Sequence, residues 1–185
     1  MKKTLFLVAL ASLTIACNKT TETASFKTAY VDSAKLMKDN EEAKKIEEKY
    51  KMKADEEGRS FETKVAQFRQ EAAGFQQNAM AKGQAWAQQK GAELQRREQE
   101  LAQLEQQISQ KLQSESGKEM DSLVTKIKKH IKEYGKKQGY DYIYSTGDIT
   151  TILYAKESYD ITDKISKELN ELYKKQNPST TEEEK

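Results

Sequence analysis

The residue types that most often perform covalent or metal chemistry are scarce in this sequence. It contains one cysteine, Cys17, and one histidine, His130. A single histidine excludes multi-histidine metal sites. The sequence also lacks a Walker-type phosphate loop and a Gly-x-Gly-x-x-Gly motif. It therefore predicts a protein that is not an enzyme, with no catalytic residues, no metal and no cofactor.

Cys17 is the one residue for which a covalent modification is predicted. Two lysines precede an apolar stretch, Leu5 to Leu13, that is too short to span a bilayer as a stable helix, which is typical of an export signal. The run Thr-Ile-Ala-Cys that ends at Cys17 resembles the lipobox of bacterial lipoproteins. We expect membrane attachment through acylated Cys17. Ordinary cleavage after Ala16 is the alternative, and it would leave an unpaired thiol.

The charge of the chain is balanced overall but unevenly distributed. Without the two signal lysines, 30 basic residues remain against 30 acidic ones. This balance argues against nucleic acid as a partner, because a nucleic-acid-binding domain is usually basic. Residues 64–97, however, contain six basic and two acidic residues, together with the single tryptophan.

This basic region contains candidates for weak, adaptable contacts with an unfolded polypeptide, because mobile apolar side chains beside cations suit such binding. The candidates are Phe68, Phe75, Met80, Lys82, Trp86 and Lys90. The alternative is that the aromatic residues pack in a helix seam and the lysines form a hydrated surface. A second basic cluster could attract lipid phosphates, or could form a hydrated helix face. It comprises Lys126, Lys128, Lys129 and Lys132.

The spacing of apolar residues predicts a long helical hairpin. Steps of four and three residues, which keep one stripe facing a partner helix in a coiled coil, separate Phe61, Val65, Phe68, Ala72, Phe75 and Ala79. A second stripe runs from Leu94 to Tyr134, and residues 78–83 form the predicted reversal. No proline occurs between Phe26 and Asn177. Each arm of about 45 residues would be about 65 to 70 Å long.

Short β-prone runs flank the hairpin. One is Phe26 to Val31, and two more, Tyr140 to Ser145 and Thr151 to Ala155, surround a predicted turn at Gly147 and Asp148, which indicates a β-hairpin. An amphipathic helix follows, marked by Ile161, Ile165, Leu169 and Leu172. A sheet this small has exposed edges and little core, so we expect it to oligomerise.

The predicted fold class is mainly α with a small β body from which a long antiparallel coiled-coil hairpin projects. We expect a signal peptide at 1–16, a disordered tether at 17–25, and a body at 26–40 that holds the first strand and the start of a helix. The coiled-coil arm occupies 41–131 with its tip near 78–86. The body resumes at 132–177 with two strands and the closing helix, and 178–185 is a disordered acidic tail.

The order of these elements resembles the OmpH/Skp family of periplasmic chaperones for outer-membrane proteins. The resemblance rests on Lys-Thr-Ala-Tyr-Val-Asp at 27–32, Gly-Tyr-Asp-Tyr-Ile-Tyr at 139–144 and Tyr-Asp-Ile-Thr-Asp at 159–163. It implies a homotrimer in which the strands form a small central β-barrel. It also implies that helical arms surround a cavity that holds unfolded outer-membrane β-barrel proteins without ATP.

Two hypotheses follow. In the first, the protein is a periplasmic holdase that suppresses aggregation of unfolded clients through many weak contacts. In the second, it is a structural or adaptor coiled-coil lipoprotein of the cell envelope that pairs with one folded partner. The first hypothesis predicts that the protein binds unfolded chains, and the second predicts that it does not.

Overall fold

The structure, a computed structural model, describes residues 26–147 and 152–178. The predicted signal, Cys17 and most of the predicted acidic tail lie outside these ranges. In chain order the elements are β1 (Thr28–Asp32), α1 (Ser33–Asp39), α2 (Glu41–Lys82), α3 (Gln84–Gln138), β2 (Tyr142–Thr146), a 3-10 turn (Glu157–Tyr159) and α4 (Thr162–Gln176). Long helices with a two-stranded sheet confirm the mainly α prediction.

Helices α2 and α3, of 42 and 55 residues, pair along their length and form an arm. A single residue, Gly83, separates them. Its φ of 85° lies in a region that side-chain-bearing residues rarely adopt, which explains a glycine at the reversal. Gly83 donates a hydrogen bond to the Ala79 carbonyl and accepts one from the Ala87 N–H. The reversal lies at the end of the stretch 78–83 in which the sequence places it.

Side chains and glycines set the other helix ends. Asp32 caps α1 by accepting a hydrogen bond from the Lys35 N–H at 2.9 Å. Asn40 ends α1 and caps α2 through the Ala43 N–H at 2.8 Å, a break that the sequence analysis missed. Helix α3 ends at Gly139, which adopts the left-handed conformation with φ 69° that is common at helix C-termini.

The sheet differs from the predicted one. Strands β1 and β2 are parallel, with Thr28 opposite Tyr142 and Asp32 opposite Thr146. The predicted β-hairpin is wrong, since residues 152–156 have no regular secondary structure; Asp148 and Thr151 lie outside the described ranges. Strand β2 pairs with β1 along one edge. In the described part of a single chain no strand pairs with the other edge of β2, so residues 152–156 do not extend the sheet.

The core lies where the base of the arm meets the body, which we define as β1, α1, the C-terminal end of α3 and the described residues from 140 to 178, including β2 and α4. Ile165 of α4 is fully buried there. The other buried members of this core cluster are Val31, Leu36, Ala43, Ile46, Tyr50, Leu123, Ile127 and Tyr134. The side chains of Tyr142 and Tyr144 on β2 stack on each other at the surface and remain about half exposed.

Candidate functional site

The tip of the arm brings together two aromatic candidates from different helices. The rings of Phe75 on α2 and Trp86 on α3 stack with centroids 6.0 Å apart and planes inclined by 24°. Gly91 of α3 lies against the Phe75 ring, where a Cβ would make an ordinary van der Waals contact at 3.7 Å. Both rings are half-buried. They therefore close the arm seam and also present ring surface to solvent.

Met80 and Lys82 complete what we call the tip cluster, namely Phe75, Met80, Lys82 and Trp86. The Met80 side chain is 79% exposed. The Lys82 Nζ lies 4.9 Å from the centre of the Trp86 ring, within the range of a cation–π interaction. A flexible apolar side chain, a half-buried aromatic pair and a cation thus occupy one end of the arm.

Phe68 lies outside this cluster. It is two helical turns below Phe75, about 10 Å along the axis. There it is half-buried and lines a cavity of about 370 Å³ between the arm helices, with Lys64, Gln67, Arg97, Glu100, Leu101 and Leu104. Its position on the facing side of α2 indicates a seam residue, the alternative that the sequence analysis left open.

Lys90 is held by acidic neighbours. Its Nζ lies 3.1 Å from a carboxylate oxygen of Glu71 across the arm and 3.1 Å from one of Glu93 on its own helix. Hydrogen bonds to Glu71 and then to Glu93 raise the pKa of Lys90. Only 22% of the Lys90 side chain is exposed. The cation is therefore engaged within the arm and has little surface for an external ligand.

Ion pairing also reduces the free positive charge of the basic region at 64–97. Arg97 pairs with Glu71, and Arg96 pairs with Glu100 on the same helix. Among the described residues, three cations of this region form no ion pair: Lys64, Arg69 and Lys82. Charge counting along the sequence could not separate these two groups, because Lys90 and Arg97 pair with Glu71 of the opposite helix.

The second basic cluster divides in the same way. Lys126 pairs with Glu42 across the arm. Lys128, Lys129 and Lys132 are exposed and form no ion pair with any described residue. Lys128, Lys132 and Lys136 follow each other at steps of one turn along α3. They border a groove of about 540 Å³. The apolar lining of this groove includes Val31, Leu36, Met37, Ile127, Ile131 and Ile143.

The structure also identifies surface features that sequence reasoning missed. Leu153 is 97% exposed and Tyr154 is 83% exposed, although both fall in the run predicted to be a strand. His130 lies on the body side of the arm, with its Nε2 3.2 Å from a carboxylate oxygen of Glu168 on α4. No local sequence signal pairs residues 38 positions apart, so this contact was not predictable.

Within residues 26–147 and 152–178, no three His, Cys, Asp or Glu side chains form a group that could hold a metal ion. No helix in these ranges is both long enough and apolar enough to cross a membrane.

Comparison with known proteins gives a match to one family model and matches to several solved structures. The model of a family described as outer membrane protein (OmpH-like) matches residues 27–169. A crystal structure of a proposed outer membrane chaperone (OmpH-like) from Caulobacter crescentus CB15 superposes with a TM-score of 0.73. It is 14% identical, and the match covers 80% of this chain and 86% of that one, which shows a shared fold. No curated protein sequence matches at a significant level.

Proposed function

The chain belongs to the OmpH-like outer membrane protein family, and we propose that it is an ATP-independent periplasmic holdase that binds unfolded outer-membrane proteins and prevents their aggregation. The tip cluster is the observation that carries this proposal. Met80 is exposed at the end of a long helical arm, beside a half-buried aromatic pair and Lys82, which forms no ion pair with any residue that the structure describes. A folded partner is not needed to explain such a surface.

The chemistry of the tip cluster suits a client that has no fixed structure. Methionine adapts its shape to irregular apolar surfaces, and aromatic faces accept both apolar side chains and cations. Each such contact is weak, and several arms acting on one client would multiply the affinity without fixing a client conformation. Lys64, Arg69 and Lys82, which have no ion-pair partner within residues 26–147 and 152–178, would attract acidic segments of the client.

We further propose that the protein works as a homotrimer joined through its body. The apolar groove beside β2 and the exposed residues Leu153 and Tyr154 are different surfaces of the same body. Contact between such unlike surfaces is heterologous, and a heterologous contact forms a closed ring when its rotation closes. One edge of β2, with which no strand pairs in the described part of the chain, offers backbone hydrogen bonds for the same purpose. The number three and the central β-barrel come from the family resemblance.

Membrane attachment remains part of the proposal through Cys17. Acylation of Cys17 would tether the body to a membrane by the few residues that precede Phe26. Lys128, Lys129 and Lys132, which form no ion pair among the described residues, could then approach lipid phosphates. Lys126 is a weaker candidate because Glu42 already neutralises it.

Dilution of a urea-unfolded outer-membrane β-barrel into buffer with the Cys17→Ser protein, produced without residues 1–16, tests the holdase proposal. Light scattering should show that the client stays soluble at stoichiometric amounts of the protein. Met80→Ala and Trp86→Ala should weaken this protection. Met52→Ala is the matched control, because Met52 is 59% exposed on the same helix, about 40 Å from the tip.

Two results would contradict the proposal. A client that aggregates at the same rate with and without the protein would favour the structural or adaptor lipoprotein, which pairs with one folded partner. Equal loss of protection in the Met80→Ala and Met52→Ala variants would show that the tip cluster is not the client-binding surface. The mass of the protein alone, measured by light scattering, separately tests the trimer.

A further inference from the structure

The junction between α1 and α2 is a single residue with little freedom to move. Asn40 is the only residue between the two helices, and it is 2% exposed. Its extended backbone, with φ −75° and ψ 122°, changes the chain direction where the arm leaves the body. The Asn40 N–H donates to the Met37 carbonyl, and the Asn40 side chain accepts from the Ala43 N–H.

Asn170 of α4 binds the backbone on both sides of this junction. Its amide nitrogen donates to the Asp39 carbonyl at 3.0 Å, and its amide oxygen accepts from the Glu41 N–H at 3.0 Å. Helix ends leave such backbone groups without partners inside their own helices. One side chain therefore satisfies the last turn of α1 and the first turn of α2 together. Lys174, one turn along α4, adds an ion pair to Glu41 at 2.9 Å.

Helix α4 also contacts the second helix of the arm. Helix α3 continues without a break from the tip into the body, so the arm joins the body through one continuous helix and one interrupted helix. Glu168 of α4 lies 3.2 Å from His130 of α3. Ile165 of α4 is fully buried in the core where the arm meets the body. Helix α4 thus joins both helices at the base of the arm.

We propose that Asn170 is a positioning residue that holds the α1–α2 junction and thereby sets the angle between arm and body. Helix α2 is about 63 Å long, so a rotation of about 10° at its base would move the tip by about 11 Å. Asn170 restricts this rotation because opening the junction would separate its amide from one of two backbone partners. The inference goes beyond the proposed holdase activity and does not depend on it.

Distances between two spin labels, one at the tip and one on the body, test this proposal when they are measured by double electron–electron resonance. Spin labels on Gln77→Cys and Ser158→Cys, both at exposed positions, would report the arm angle in the full chain carrying Cys17→Ser. Labelled protein is diluted into an excess of unlabelled protein so that only distances within one chain contribute. Asn170→Ala should broaden the distance distribution by about 10 Å. Amide exchange at Glu41 should accelerate about tenfold, because its hydrogen bond is lost.

Asn78→Ala is the matched control. The Asn78 amide also donates to a backbone carbonyl, that of Gly74 at 2.8 Å, but does so within the arm tip. This variant should leave the distance distribution unchanged. The proposal is overturned if Asn170→Ala accelerates exchange at Glu41 while the distribution keeps its width, because core packing alone would then hold the arm.

A variant with a smaller change covers the case in which Asn170→Ala does not fold. Asn170→Asp keeps an oxygen that can accept from the Glu41 N–H and loses the donor to the Asp39 carbonyl. Circular dichroism would verify its helical content. A distribution broader than that of the wild type supports the proposal, and an unchanged distribution overturns it.

Discussion

The carboxylate of Glu71 on α2 accepts a hydrogen bond from the guanidinium of Arg97 on α3, 26 residues further along the chain. The two residues lie equally far from Gln84 in the sequence. Four further ion pairs that cross the arm have the same symmetry about Gln84: Glu42–Lys126, Lys49–Glu119, Lys53–Glu115 and Glu57–Lys111. One helix register therefore holds from the base of the arm nearly to its tip.

The arrangement of these charges also disfavours a shifted register. A slip of four residues in one direction would place Lys53 opposite Lys111 and Glu71 opposite Glu93. A slip in the other direction would place Glu57 opposite Glu115. Individual exposed ion pairs add little stability. In the shifted registers, however, like charges would face and repel each other. This repulsion helps to select a single helix pairing in a seam that has few large apolar residues.

Reversal of one charge in this series should weaken the arm, and reversal of both should restore it. Lys53→Glu would place a carboxylate beside Glu115, and Glu115→Lys would place an ammonium group beside Lys53. Each single variant should have a lower thermal midpoint than the wild type, and the double variant should recover most of the difference. Additive losses in the double variant would show that these two residues do not interact in solution.

Acid should weaken the arm. Hydrogen bonds from Arg97 and then from Lys90 lower the pKa of Glu71, and cross-arm lysines lower the pKa values of Glu115 and Glu119. A carboxyl group whose pKa is lower in the folded state contributes stability above its unfolded value, about 4.3, and loses that contribution as the pH falls through the folded value.

Thermal unfolding followed by circular dichroism should therefore show a midpoint that is steady above about pH 5.5 and falls below about pH 4.3. The variant with Gln at positions 71, 115 and 119 should lose part of this pH dependence. If both proteins show the same slope in acid, other carboxyl groups are responsible.

Truncation in the core should be much more costly than truncation at the surface. Leu123 is 2% exposed and packs where both arm helices meet the body. Leu123→Ala should reduce the free energy of unfolding by about 2 to 5 kcal/mol through lost burial and a residual cavity. Leu172→Ala, at a side chain that is 42% exposed, should cost less than about 1 kcal/mol. Denaturant titrations at one fixed protein concentration measure both. Equal losses would contradict the assigned core.

Two glycine substitutions should act in opposite directions. A Cβ at Gly58 would meet no atom within 4 Å, and Gly58 lies inside α2, so Gly58→Ala should stabilise the protein by about 1 kcal/mol. Gly139 has φ 69° at the end of α3, so Gly139→Ala should destabilise it by about 1 to 2 kcal/mol. The same denaturant titrations compare them. A destabilising Gly58→Ala would indicate that bending at this position is needed.

The helical part of the fold was largely predictable because its determinants are local. The steps of four and three residues indicated paired helices, Asp32 supplied a cap, and Gly139 supplied a helix end. The break at Asn40 also had a local signal, an asparagine followed by Glu41 and Glu42 in the first turn of α2. The spacing of apolar residues does not reveal this break, because it is compatible with one longer helix.

The candidate site was only partly predictable. Residue types and position along the hairpin placed Phe75, Met80, Lys82 and Trp86 at one end of the arm. They could not show that Glu71 holds Lys90, or that Phe68 faces the seam away from the tip. Those distinctions depend on the helix register, which brings together residues distant in the sequence.

The sequence alone determined the two long helices, their reversal near Gly83 and the scarcity of catalytic residue types, because each depends on composition or on spacing within a few turns. Only the tertiary structure decided the parallel pairing of β1 with β2, the exposure of Leu153 and the attachment of Asn170 to the α1–α2 junction. These features join segments that lie more than 100 residues apart or depend on which strand edge is already paired. Periodicity carries no information about such contacts.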